Sequence, residues 1–133
     1  MQPNPGPRPP IDSPETARAG AHAFFRLAER WAVTRAEQGT LLGLRSTSPL
    51  DNWRRSPPAS LPPDTMERIS YLLHIYRSLR QIFEADRADE WIRRTHSGAP
   101  FLGQSALDYM LRGQVRHLLD VHRYLQVPAS GVF

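Results

Sequence analysis

Arg35, Arg45, Ser46, Thr47, Ser48, Asn52, Arg54 and Arg55 are the side chains whose types and spacing suit a definite chemistry. Guanidinium groups and hydroxyls bind phosphate oxygens, and an asparagine or arginine can reach the edges of bases. The set reads as a DNA-binding one: Arg35, Arg45 and the hydroxyls serve phosphates, while Asn52, Arg54 or Arg55 serves bases. Asp51 in their midst repels phosphate, and a role in capping the helix that starts at Ser48 accounts for it. Catalysis finds no comparable set. The chain has no cysteine, which removes disulfides, thiolate metal sites and cysteine nucleophiles together. His117 and His122 stand out of line for a helical pair at i, i+4, and His74 has no acidic neighbour in sequence. Asp89 and Glu90, with Asp86 near them, are the paired carboxylates, but adjacent residues point to different helix faces, which does not suit paired acid–base work. The glycines are singletons, so no phosphate-cradling loop occurs. No metal, cofactor or enzymatic activity is expected.

Helices must hold the DNA-binding set in place. Ser13 as N-cap, Pro14 at the first helical position and Glu15 in the first turn open one helix. Along it Ala17, Ala21, Phe24, Phe25, Leu27, Ala28 and Trp31 fall on one stripe. Thr34 and Glu37 form a capping box, and the short helix they open ends at Gly43. A third helix starts at Ser48 and runs to Arg55. The order is that of a helix-turn-helix unit, with a second helix at 35–42, a turn at 43–47 and a reading helix at 48–55. Residues 56–63 carry four prolines in eight positions and form a linker or elbow.

Beyond them Asp64 and Glu67 suggest another cap, and Met66, Ile69, Leu72, Leu73, Tyr76, Leu79 and Phe83 form a long stripe. Asp86 is expected to cap a short helix with Trp91 and Ile92 inward. No strand alternation appears, so the fold is expected to be all-α with six or seven helices. The domain plan is a Pro-rich disordered arm at 1–12, a helix-turn-helix-like region at 13–55, the linker at 56–63 and a second helical domain at 64–133. The long helix 65–84 and Trp91 are the expected dimer face.

With 133 residues and a formal net charge of +4, the chain can bury one modest core or two very small ones. All 17 basic residues are arginine; GC-rich codon usage explains that better than a functional choice. The N-terminus has no apolar run, so neither a signal peptide nor a membrane span is expected, and the location is cytoplasmic.

The stretch SGAPFLGQSALDYMLRGQVRHLLDVHRYL, residues 97–125, joins a Gly/Pro loop, a short helix capped by Ser105 and Asp108, a joint at Gly113 and an amphipathic helix. Gly103 permits a left-handed turn and Phe101-Leu102 can plug into the bundle. This block resembles the toxin-binding domain of the Xre/MbcA/ParS antitoxin family. Trp91 stands at the tryptophan position, Gly98–Asp108 at the loop of the sense NPxFGGxSPLDLL, and Arg112-Gly113 at the joint. Its usual Asn-Pro opening is absent, and its later proline is Ala106 here. The resemblance covers about residues 64–126, and the earlier segment LAERWAVTRAEQGTLLGLRSTSPLDNWRR is similar in order to the same family's helix-turn-helix.

The resemblance implies the antitoxin of a type II pair whose partner is a RES-domain, ADP-ribosyltransferase-like toxin that uses NAD. Arg116, Arg123 and Tyr124, with the tail Val127, Pro128, Ser130, Gly131, Val132 and Phe133, are expected to enter the toxin's cleft. Operator DNA and a homodimer are the other expected partners, because one reading helix alone gives little specificity. Two alternatives stay open at this point: a stand-alone transcriptional regulator, and a helical adaptor that binds no nucleic acid.

Overall fold

Helix α1, Pro14–Trp31, begins as the sequence predicts. The Ser13 side chain accepts the Thr16 N–H, Pro14 occupies the first turn, and Glu15 meets the positive end of the helix. Ala32 ends it in the left-handed region, its N–H returning to Ala28 and Glu29. The structure, a computed structural model, describes residues 13–126. The proline-rich arm and the C-terminal tail lie outside the described residues.

After α1 come α2 (Arg35–Leu41), α3 (Ser48–Arg55), α4 (Pro63–Ile82), α5 (Ala85–Trp91), α6 (Ala106–Met110) and α7 (Val115–Gln126). Among the described residues there are seven helices and no strand, so the chain is all-α, as the absence of alternation predicts. A lone bridge pairs Thr95 with Ser105 and closes the loop before α6.

Three expected caps are replaced. Thr47, not Ser48, precedes α3, and its side chain makes no capping bond; the Ser46 hydroxyl instead accepts the Ser48 N–H at 3.1 Å. Helix α4 follows Pro62, which enters it with extended backbone and no side-chain cap, because Asp64 turns to Arg68 at 2.9 Å. Glu84 stands before α5, also without a side-chain bond, and Asp86 lies in the first turn.

One hydrophobic core runs through the described residues, holding Phe24, Leu27 and Trp31 of α1, Leu72, Ile75 and Leu79 of α4, and Leu118 and Val121 of α7. Burial of each large side chain stabilises the fold by roughly 1.5–3 kcal/mol. Helix α4 lies at the centre, packed on α1, α5 and α7. Its buried residues are Thr65, Arg68, Ile69, Leu72, Ile75 and Leu79; Ile69, Leu72 and Leu79 belong to the expected stripe, while Met66, Leu73, Tyr76 and Phe83 stand half-buried at its margin. Trp91 is 1% exposed; it belongs to the core and cannot present a dimer face.

Phe101 is fully buried beside Trp91, His96 and Tyr124, with ring centroids 6.1, 5.1 and 5.0 Å away. Leu102 does not follow it inward. It is 74% exposed with φ +52°, because the chain reverses there and carries the side chain outward. Ser105 accepts the Asp108 N–H at 3.0 Å, and Gly113 at φ +98° lets α7 fold back. These last features match the sequence reading.

Candidate nucleic-acid interface and C-terminal surface

The α2–turn–α3 unit is built from local and distant contacts. Thr34 accepts the Glu37 N–H at 3.1 Å, and Glu37 accepts the Thr34 N–H at 2.8 Å. Gly43 adopts φ +73°, and a Cβ there would lie 2.6 Å from both Arg68 Nε and Asp64 Oδ2. That close approach exists because α4 clamps the turn. Thr65 donates to the Leu42 carbonyl at 3.0 Å, and Arg68 donates to the Thr40 carbonyl at 3.3 Å. The first bond satisfies a carbonyl past the end of α2, and the second adds to the Thr40 carbonyl, which also accepts the Gly43 N–H at 3.1 Å. Sequence reasoning missed Thr65 and Arg68; the available signal was the Asp64/Arg68 pair at i, i+4.

Arg45, Ser46, Ser48, Asn52 and Arg55 are exposed, and Thr47 is half-buried. Arg35 is tied to α3: it pairs with Asp51 at 2.9 Å and donates to the Thr47 carbonyl at 3.3 Å. Arg54 donates to the Gln38 amide oxygen at 3.0 Å, lies 4.7 Å above the Phe25 ring and approaches Asp51 at 3.7 Å. Asp51 therefore does not cap α3. Two guanidinium groups neutralise it, which removes much of its repulsion toward phosphate. Such exposed pairs contribute only tenths of a kcal/mol each, so their effect is on orientation and local charge. Arg45 and Arg55 have no ion pair among the described residues.

The acidic and basic run 84–94 does more than form a solvated face. Asp89 receives Arg30 at 2.9 Å and Arg80 at 3.9 Å. Arg93 donates to the Trp31 carbonyl at 3.1 Å and the Ala32 carbonyl at 2.8 Å. Together they lock α5 onto the end of α1.

On α7, Arg116 and Arg123 are exposed, and Arg116 donates to Gln114 at 2.7 Å. Tyr124 is half-buried, its ring 5.0 Å from Phe101 and 6.1 Å from Trp91, so its ring is held in the internal aromatic cluster. Val127, Pro128, Ser130, Gly131, Val132 and Phe133 lie outside the described residues. Gln126 donates to Ser78 at 3.1 Å and fixes the end of α7 on α4. At the other end, buried His117 accepts the Gln114 N–H through Nδ1 at 3.2 Å. Burial, then Arg116 and Arg112, push the His117 pKa down. Tyr109 donates to Asp120 at 2.5 Å, and burial and that carboxylate push its pKa up. His74 and His122 lie 5.3 Å apart, yet no group of three or more potential metal ligands is gathered among the described residues. No described helix is long and apolar enough to cross a membrane.

A capped short helix, a glycine turn and a third helix with solvent-facing polar side chains define a helix-turn-helix protein. Residues 10–74 match the family model of the antitoxin Xre-like helix-turn-helix domain. The chain is also similar to the uncharacterized protein y4oB of Sinorhizobium fredii, with 41% identity over 122 residues, 90% of this chain and 92% of that one. The chain belongs to the antitoxin Xre-like helix-turn-helix family. This is a family of antitoxins, not of enzymes, and membership implies a toxin as partner. The matched stretch runs past α3 into α4, the helix that clamps the turn.

Proposed function

We propose that the chain is the antitoxin of a type II pair that acts in the cytoplasm and neutralises an NAD-dependent RES-domain toxin by occupying its active site. It also represses its own operon as a homodimer on operator DNA. The observation that carries the reading is the antitoxin-family match over residues 10–74. Residues 13–55 serve the DNA, and residues 64–133 serve the toxin. On the DNA side, Arg45, Ser46, Ser48, Asn52 and Arg55 are exposed around α3, where phosphates and base edges are within reach. Arg35 and Arg54, already ordered by Asp51, Gln38 and the Thr47 carbonyl, add phosphate contacts at little entropic cost. On the toxin side, Arg116 and Arg123 stand exposed on α7, and the uncharged stretch 127–133 follows them in sequence.

The test uses a RES-domain toxin, the proposed partner. A chain lacking residues 127–133 still binds operator DNA but no longer protects NAD from that protein. Full protection by the shortened chain overturns the active-site plug. In gel shifts, Arg55→Ala and Asn52→Ala weaken operator binding by about ten-fold each, in line with about 1–3 kcal/mol for a base-reading contact. Unchanged affinity in both removes α3 from the DNA.

A further inference from the structure

Between α1 and α4 the surface sinks into a groove of about 500 Å³ whose rim carries His22, Arg26, Glu29, Arg30, Arg77 and Arg80. Four guanidinium groups meet there from two rigid helices, against one carboxylate in the lining. Arg30 and Arg80 share Asp89, at 2.9 and 3.9 Å. Arg26 and Arg77 have no ion pair among the described residues. The Arg80 Nε is buried without a hydrogen-bond partner, although its Nη2 donates to the Tyr76 hydroxyl at 2.6 Å. Asp89 and Glu29 offset only part of the four guanidinium charges, and the excess raises the local concentration of any anion.

The groove does not stand alone. His22, Arg26 and Glu29 also line a smaller depression of about 190 Å³ on the other side of the α1 ridge, and that depression reaches Arg54 of α3. The two depressions share His22, Arg26 and Glu29, so Arg54, Arg26 and Arg77 line a continuous surface from the reading helix over α1 to α4, with Glu29 the one carboxylate in its lining. A chain of regularly spaced anions fits such a track. Duplex DNA supplies one, and guanidinium groups on fixed helices meet its phosphates without needing any particular base.

We propose that the α1/α4 groove is a second phosphate-binding surface that holds the DNA backbone beyond the segment read by α3. The inference rests on the DNA-binding reading of α3. It assigns Arg26 and Arg77 to affinity and to the length of the footprint, not to sequence choice.

The experiment measures binding of the full chain to mixed-sequence duplex DNA over a range of salt. Each phosphate contact adds about 0.9 to the magnitude of the log–log slope, so the double variant Arg26→Ala/Arg77→Ala lowers that magnitude by about 1.8. Its loss of affinity is equal for operator and mixed-sequence duplexes. Arg87→Ala, on α5 outside the groove, keeps the wild-type slope. A double variant with wild-type slope, while Arg54→Ala or Arg55→Ala weakens binding, overturns the groove alone. A shift in toxin affinity without a change in slope also overturns it, and assigns the track to an acidic protein surface. Absence of any DNA binding by the wild type overturns the reading of α3 along with it.

Discussion

Two residues with positive φ make opposite predictions. Gly43 at φ +73° leaves no room for a Cβ, which would meet the Arg68–Asp64 pair at 2.6 Å. Gly43→Ala is therefore expected to destabilise the fold by about 2–3 kcal/mol in urea unfolding, through backbone strain and the displaced ion pair. Leu102 is held at φ +52°, yet it is exposed. Leu102→Gly relieves about 1–2 kcal/mol of left-handed strain and costs about 0.5–1 kcal/mol of chain entropy. The variant is expected to be slightly more stable than the wild type in the same assay. Residue-scale features were legible when their partners were near in sequence. The Thr34–Glu37 box and the Ser105 cap follow from spacing alone. Asp51 was misread because its partner Arg35 lies on another helix, and one-dimensional spacing made the nearby Ser48 seem the natural partner.

At the scale of elements, α4 joins the helix-turn-helix unit to the C-terminal half. Thr65 and Arg68 hold the Leu42 and Thr40 carbonyls, while Ile75 and Leu79 share the core with α7. Arg68→Met leaves Asp64 and the Thr40 carbonyl without this partner. It is expected to cost about 1–3 kcal/mol and to speed amide exchange at residues 40–44 before that of α7. Equal protection across both regions contradicts the clamp. The α1 stripe was legible because one face of that helix is buried and the other is wet. The buried face of α4 was legible in part: Ile69, Leu72 and Leu79 follow from apolar spacing, while buried Thr65 and Arg68 are polar and give no apolar signal. Trp91 shows the same limit: its type suits an interface, and only the fold places it in the core.

Across the whole molecule, three imidazoles tie stability to pH. Burial is the leading cause that lowers His96, His117 and His122 from the ordinary value of 6.5. Near that value the unfolded chain binds protons that the folded chain refuses, so stability rises with pH through this window. Their contribution is fully present above 6.5 and is lost as pH falls toward the lower folded values. The midpoint of thermal unfolding is expected to drop as pH is lowered from about 7 to about 5. A flat profile contradicts the burial of these rings. All-helical class and helix order were legible from apolar spacing and from prolines and glycines between the helices, although the caps of α3, α4 and α5 were not. Packing of α4 against α1, α5 and α7 was not, since it depends on contacts between residues far apart in the chain.

The proposed function stands most directly on one titration. A RES-domain toxin, the proposed partner, is held at fixed concentration with NAD while the purified full chain is added. The account predicts that NAD loss stops as the two proteins reach a fixed stoichiometry, with a stable complex in the same mixture. NAD consumed at an undiminished rate in the presence of excess chain contradicts it.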